Sequence, residues 1–202
     1  MLMDEIRYAK AKKIRLQGKM PYAGKFARTG DLAEVKAAKD GSTHSIAGRI
    51  VLLRDMGKIT FATLQDHTGR LQIALREEVI GADAYKDLLE LLDLGDFIGV
   101  HGEHFTTQKG EPTVLVQKWE ILTKALRQPP EKWHGVSNQE TAWRQRYLDL
   151  MSNRETFDRF EMRSRFLKAL REFYWDHSFT EVETPVLVNA ASGALATPFT
   201  TH

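Results

Sequence analysis

Apolar residues recur every three or four positions after Asn153: Phe157, Phe160, Leu167, Leu170 and Phe173, with Ser164 in the same register. Arg159, Arg163, Arg165, Lys168 and Arg171 mostly take the other faces. That period predicts a long amphipathic helix with one face to bury, capped at its start by Asn153 and broken at His177-Ser178. The run Phe179 to Leu187 reads as extended. Pro185 lacks an N–H and has a fixed φ, so a strand carrying it belongs at a sheet edge, a strand end or a bulge. Such a strand is expected to meet something other than its own sheet.

The pattern upstream is different. Residues 1 to 19 read as a basic helix (Arg7, Lys10, Lys12, Lys13, Arg15, Lys19) with Ile6, Ala9 and Ile14 or Leu16 as a thin apolar side, ended by Gly18 and Pro21. Two readings stand for its charge, a solvated arm or a phosphate contact. A polar connector with a short helix around Asp31 to Lys39 completes residues 1–42. From 43 to 124 short apolar-rich runs alternate with turn signals: strands at Ser45–Leu53, Ile59–Asp66 and Arg70–Arg76, a helix at Asp83–Leu92 stopped by Gly95, then strands at Phe97–Thr106 and Thr113–Leu122. Five strands with one helix between the third and fourth is the order of an OB-fold barrel, with SH3-like and other small β-barrels as alternatives. Pro129-Pro130 marks a linker at 125–136. In the last stretch, 137–202, Ser137-Asn-Gln-Glu140 has capping-box spacing and opens a helix through Trp143, Tyr147, Leu148 and Leu150. Asn189 to Ala196 is a small-residue loop in which Gly193 allows a backbone to approach a ligand.

Alternation along the strands places side chains on faces. Leu71, Ile73 and Leu75 share one face of the third strand, and Arg70, Gln72, Ala74 and Arg76 the other. In the second strand Ala62 and Leu64 form the small apolar side, while Phe61 lies with Thr63 and Gln65. A large aromatic on a polar sheet face is either a cap under a loop or a stacking platform for a base, and stacking contributes ~1–3 kcal/mol per base. Arg49 and Arg54, at and after the first strand, add donors for phosphates or base edges. Together with Gln72 on the next strand they favour single-stranded nucleic acid as the partner.

Bulk numbers narrow this only a little. With 29 Lys and Arg against 27 Asp and Glu, a net +2 over 202 residues, any nucleic-acid affinity must come from local patches. The absence of cysteine removes disulfides, thiolate metal sites and a cysteine nucleophile. No apolar run approaches a membrane span or a signal core, so a soluble cytoplasmic protein is expected.

The runs Ala125-Leu-Arg-Gln-Pro-Pro-Glu-Lys-Trp-His-Gly135 and Trp143-Arg-Gln-Arg-Tyr-Leu-Asp-Leu-Met-Ser-Asn153 closely resemble the junction between the anticodon and catalytic domains of class II lysyl-tRNA synthetases. Phe179 to Leu187 resembles motif 1 of that class, and Ser192 to His202 the substrate loop and strand after it. The Lys124-Ala-Leu-Arg127 and Arg144 to Leu150 stretches are similar to the lysine branch in particular. The resemblance implies an OB-fold anticodon-binding domain followed by the start of a class II α/β catalytic domain built on an antiparallel sheet. It also implies an enzyme that uses ATP and Mg²⁺ to activate lysine as lysyl-adenylate, then transfers it to tRNA(Lys), working as a homodimer.

By the same resemblance Phe61 stacks on an anticodon base, Gln72 reads a base edge, and Arg54 makes a neighbouring contact, with Arg49 nearby. Pro185 and Phe179 fall at the dimer interface, and Gly193 and Ala194 touch lysine through backbone atoms. Motifs 2 and 3 of the class lie downstream of His202, so this portion is expected to be inactive alone. Three positions depart from the family pattern. Lys118 stands where an acidic base-reading residue is expected, although Glu120 shares its strand face; Ser192 replaces a glycine; and Thr197 replaces a basic residue, for which no physical account follows. Competing readings are a non-catalytic tRNA-binding or dimerisation protein, and a class II synthetase for aspartate or asparagine.

Overall fold

The computed structural model describes residues 4–130, 136 and 138–186. The chain divides into two compact units, residues 1–130 and 131–202.

The first unit opens with α1 (Glu5–Leu16) and the short α2 (Leu32–Lys36), followed by β1 (Thr43–Asp55), β2 (Ile59–Gln65) and β3 (Arg70–Arg76). After α3 (Glu77–Ile80) and α4 (Ala82–Leu91) come β4 (Phe97–Thr106) and β5 (Pro112–Thr123). The five strands close into a barrel in the order β1-β2-β3-β5-β4, with β4 returning to β1. Every pairing is antiparallel except β3 with β5. The expected helix between the third and fourth strands is α4, so the OB order holds.

Closure depends on β1. Its first half, Thr43 to Arg49, pairs with β4 and its second half with β2, and the register shifts between Ile50 and Leu52. This bulge bends one long strand across both sides of the barrel. β1 therefore runs past Leu53, and Arg54 lies within the strand instead of after it.

The interior holds Ile46, Ile50, Ala62, Leu64, Leu71, Ile73, Leu75, Ile98, Val100, Val114 and Val116, all buried, as period-two alternation demands. α4 packs Tyr85, Leu88 and Leu91 into the same core, joined by Ile14 of α1 and by Leu32 and Val35 of α2. The Tyr85 hydroxyl lies 2.7 Å from both Thr60 Oγ1 and the Gly57 carbonyl. At Gly102 a Cβ would come within 2.1 Å of the Leu115 carbonyl oxygen, so only glycine lets β4 and β5 approach there.

α1 is not a solvated arm. Lys10 binds Asp93 at 2.8 Å, Lys13 pairs with Glu90, and Lys19 reaches Asp87 at 3.4 Å. Arg7 is buried and donates to the carbonyls of Leu94 and Ala125. The basic face expected to be wet, or to meet phosphate, is turned largely onto the acidic rim of α4 and the loop after it. Residues 125–130 are likewise part of the barrel unit. Ala125 N donates to Asp96, Asp4 N donates to the Leu126 carbonyl, and Pro129 sits against Gly95.

In the second unit Asn138 caps α5 (Gln139–Arg144) by accepting from Thr141 N at 2.9 Å. Glu140 pairs with Arg144 at 2.8 Å instead of closing a capping box, and Ser137 lies outside the described residues. The single helix expected here breaks at Gln145 (φ −122°, ψ 57°), and α6 (Arg146–Ser152) follows. Asn153 caps α7 (Arg154–Asp176) through Thr156 N, as expected. Helix α7 ends at His177 and Ser178 takes a left-handed φ of 66°, which is the break at His177-Ser178.

The apolar face read from the sequence is largely open in this unit, with Phe160, Leu170 and Phe173 exposed and Phe157 and Leu167 half-buried. One expectation is corrected. Residues 179–186 form no strand, because a strand needs a ladder partner and none pairs with them there.

Candidate nucleic-acid interface

Cross-strand pairing sets which side chains share the outer surface of the barrel. One row runs Arg54, Phe61, Ala74, Leu115, Glu103 across β1, β2, β3, β5 and β4. The next runs Leu52, Thr63, Gln72, Thr113, Phe105, and a third holds Arg49, Gln65 and Arg70. Simple alternation would send Arg49 and Arg54 to opposite faces, since they are an odd number of residues apart. The bulge supplies the extra residue that returns both to the face of Phe61.

Half of this outer surface is covered. The connector after α1 lays Phe26 over Gly99, where an added Cβ would fall 2.4 Å from its ring. It also bonds Thr29 N to the Ser45 carbonyl (2.9 Å) and Ala23 N to the Leu122 carbonyl (2.7 Å). The open half is the second half of β1 with β2 and β3, where Arg54 and Arg70 are exposed, Phe61, Thr63, Gln65 and Gln72 are half-buried, and the small Ala74 is buried among them.

On the open half the polar groups differ in how firmly they are held. Arg54 is exposed and has no ion-pair partner among the described residues. Arg49 donates to the Gly95 carbonyl at 3.1 Å and stacks 4.3 Å from the Phe97 ring centroid, and burial pushes its guanidinium below the usual range. It is anchored where Arg54 is not. Arg70 donates to Gln65 at 2.8 Å. Gln72 Nε2 donates to Thr113 Oγ1 at 2.9 Å, and Thr113 Oγ1 donates to the Glu111 carbonyl at 3.0 Å. This relay fixes the amide plane and leaves Gln72 Oε1 as its uncommitted acceptor.

Lys118 and Glu120 lie elsewhere. They pair with His101 and Gly99 on the covered side and line a groove with Trp119, α1 and α4, away from Phe61. The acids nearest these rows are Glu103, at the end of the Phe61 row, and Glu111, whose backbone carbonyl accepts from Thr113 and whose carboxylate lies 4.0 Å from Lys36 of α2. Sequence reasoning missed both, because the parallel β3–β5 register that sets Thr113, and with it the Glu111 carbonyl, against Gln72 leaves no local signature. The Lys109-Gly110 turn just before it was the nearest available signal.

In the second unit Phe179 is exposed and meets Tyr174 edge-on at 5.3 Å, and Pro185 is exposed. Gly193 and Ala194, together with Ser192 and Thr197, lie outside the described residues.

Among the described residues Asp31, Asp66 and His67 bring three possible metal-ligand atoms together. They do not fit an ATP-bound Mg²⁺. Asp66 already accepts from Thr68 N (2.7 Å), Thr68 Oγ1 (2.6 Å), Gly69 N (3.0 Å) and Leu32 N (2.9 Å). Burial pushes this carboxyl up, but those bonds together outweigh it and hold it below the usual range. Asp66 ties the β2–β3 turn to the start of α2.

The family described as OB-fold nucleic acid binding domain matches residues 44–122, and tRNA synthetases class II (D, K and N) matches residues 138–202. The lysine–tRNA ligase of Carboxydothermus hydrogenoformans is 47% identical over 201 residues, which is 98% of this chain and 41% of that protein. Those of Magnetococcus marinus and Enterococcus faecalis are 43% and 44% identical over 97% and 98% of the chain, again 41% of each relative. The chain thus spans about 41% of the length of the curated relatives it matches. With a barrel matched by a nucleic-acid-binding family, a following segment matched by the class II synthetase family, and lysine–tRNA ligases 43–47% identical to it, the chain is similar to lysyl-tRNA synthetases over 97–98% of its length.

Proposed function

We propose that this chain is the anticodon-reading part and the opening of the catalytic domain of a lysine–tRNA ligase, which charges tRNA(Lys) with lysine at the expense of ATP and with Mg²⁺. The observation that carries the reading is the row of Arg54 and Phe61 with Gln72 one row away, on the half of the barrel that its own connector leaves open. Phe61 offers a ring face to one unstacked base. Gln72 Oε1, held by Thr113, accepts from an N–H on a base edge, and Arg54 meets the adjoining phosphate or base. Arg49, anchored over Phe97, shapes the end of the strip.

The lysine and ATP sites fall outside the described residues, and no chemical step is assigned to the residues within them. Gly193 and Ala194 are the residues proposed to touch lysine. The exposed apolar side of α7, with Phe179 and Pro185, is the surface proposed to be covered on completion of the catalytic domain and its homodimer. None of the described helices is long and apolar enough to cross a membrane, and we place the enzyme in the cytoplasm. The named relatives favour lysine over the aspartate and asparagine alternatives.

The test is a titration of the chain with the anticodon stem-loop of a lysine tRNA against a loop of scrambled sequence, at one salt concentration. The lysine loop should bind more tightly. Equal binding would overturn the anticodon reading.

A further inference from the structure

We propose that the pocket of about 620 Å³ lined by Lys58, Ile59, Arg76, Glu77, Glu78 and Ala82 is a subsite for the nucleotide next to the base on Phe61, with Lys58 and Arg76 holding its phosphate. This rests on the anticodon reading above and extends it by one nucleotide.

Register supplies the first argument. Ile59 pairs with Arg76 one same-face step beyond the Phe61–Ala74 pair, while Thr63–Gln72 lies one step to the other side. Same-face positions are about 7 Å apart along a strand. An amide acceptor, a ring and a cation thus follow one another in line across β2 and β3, as a strand of nucleotides would need them.

Charge supplies the second. Lys58 is exposed on the β1–β2 turn and has no ion-pair partner among the described residues. Arg76 is half-buried, and Glu78, 3.5 Å away, is largely exposed. Such a surface pair is weak and yields to a phosphate, which offers charge-assisted bonds in a fork geometry. The pocket wall is fixed by the bond from Glu77 N to the Lys58 carbonyl at 3.1 Å, and Ile59 provides an apolar floor for a ribose or base face. Glu77 and Glu78 make the pocket a poor trap for a free anion. It takes a phosphate delivered by a loop already seated on Phe61.

The experiment follows binding of the lysine tRNA anticodon stem-loop to the full chain by fluorescence anisotropy over a range of salt, for Lys58→Gln, Arg76→Gln, their double variant, Glu78→Gln and Phe61→Ala. Each cation removed should lower the slope of log K against log salt by about 0.7, and the double variant by about 1.4. The loss should be the same for true and scrambled loops. Glu78→Gln, which releases Arg76, should tighten binding, and inorganic phosphate alone should not bind. An unchanged slope in the double variant, with Phe61→Ala still weakening the complex, sinks the subsite and leaves the anticodon reading standing. Phe61→Ala binding like the wild type sinks the reading itself. Should Arg76→Gln lower the melting midpoint, Lys58→Gln, on an exposed turn, carries the test alone.

Discussion

Lys124→Met removes the cation at the centre of a buried charge cluster. Lys124 Nζ donates to the Leu91 carbonyl at 2.8 Å, to Asp93 Oδ2 at 2.5 Å and to Asp96 Oδ2 at 2.7 Å, and its side chain is wholly buried. Asp96, also wholly buried, accepts in addition from Asp93 N and Ala125 N, both at 2.8 Å. Methionine preserves most of the stem, so the change opens little cavity and acts through charge. Asp93 keeps Lys10 at 2.8 Å, but Asp96 is left as a buried carboxylate with no counter-ion. Breaking a buried pair from one side costs about 3–5 kcal/mol, or a fall of ~10–20 °C in melting midpoint for a domain of this size.

The pH dependence has a definite sign. Burial pushes Asp96 above its ordinary value, against the pull of Lys124 and its backbone donors. A carboxyl raised on folding is a cost when charged, and the cost is relieved as pH falls through its folded value. Loss of Lys124 raises it further. The deficit of the variant should therefore be largest near neutral pH and shrink on acidification toward the ordinary carboxylate range, and Asp96→Asn added to Lys124→Met should recover part of it. Urea melts at about pH 8 and about pH 5, bracketing this window, provide the assay. A loss under ~1 kcal/mol, or an equal loss at both values, would refute the reasoning.

Phe61→Ala should weaken anticodon stem-loop binding by ~1–3 kcal/mol without moving the melting midpoint, since the ring serves a base and not the core; unchanged affinity would make Phe61 a packing residue. Gly102→Ala should destabilise the barrel by ~1–3 kcal/mol or more, because the nearest obstacle, the Leu115 carbonyl, is backbone; a wild-type thermal melt would contradict the close approach. Lys10→Gln with Lys13→Gln should leave the salt dependence of RNA binding as it is and lower the midpoint instead, since both lysines are paired with Asp93 and Glu90. A shallower salt slope would return α1 to phosphate contact.

What was legible in the sequence was local. Alternation of period two located all five strands to within about two residues, and the three-to-four spacing found α4 and α7. Glycine, proline and asparagine marked the turns, the cap at Asn153 and the boundary near Pro130. Phe61 and Gln72 could be placed on one outer face because each strand reports its own alternation. The segment at 179–186 shows the limit of this logic: an extended pattern is necessary for a strand, but pairing makes one, and the partner is not written in the segment.

By itself, then, the sequence determined the strand order of the barrel, its class and the resemblance to the lysine enzymes. Tertiary structure alone decided that Arg49 and Arg54 share a face, through a bulge at Val51 that no periodicity announces. It turned the lysines of α1 inward to acids more than 65 residues away, and seated Lys124, part of the stretch that resembles the lysine branch, among Leu91, Asp93 and Asp96. It set Thr113 against Gln72 and left Lys118 on the covered side of the barrel. Each of these depends on the register between distant segments, whereas the period of a strand or helix depends only on its own few residues.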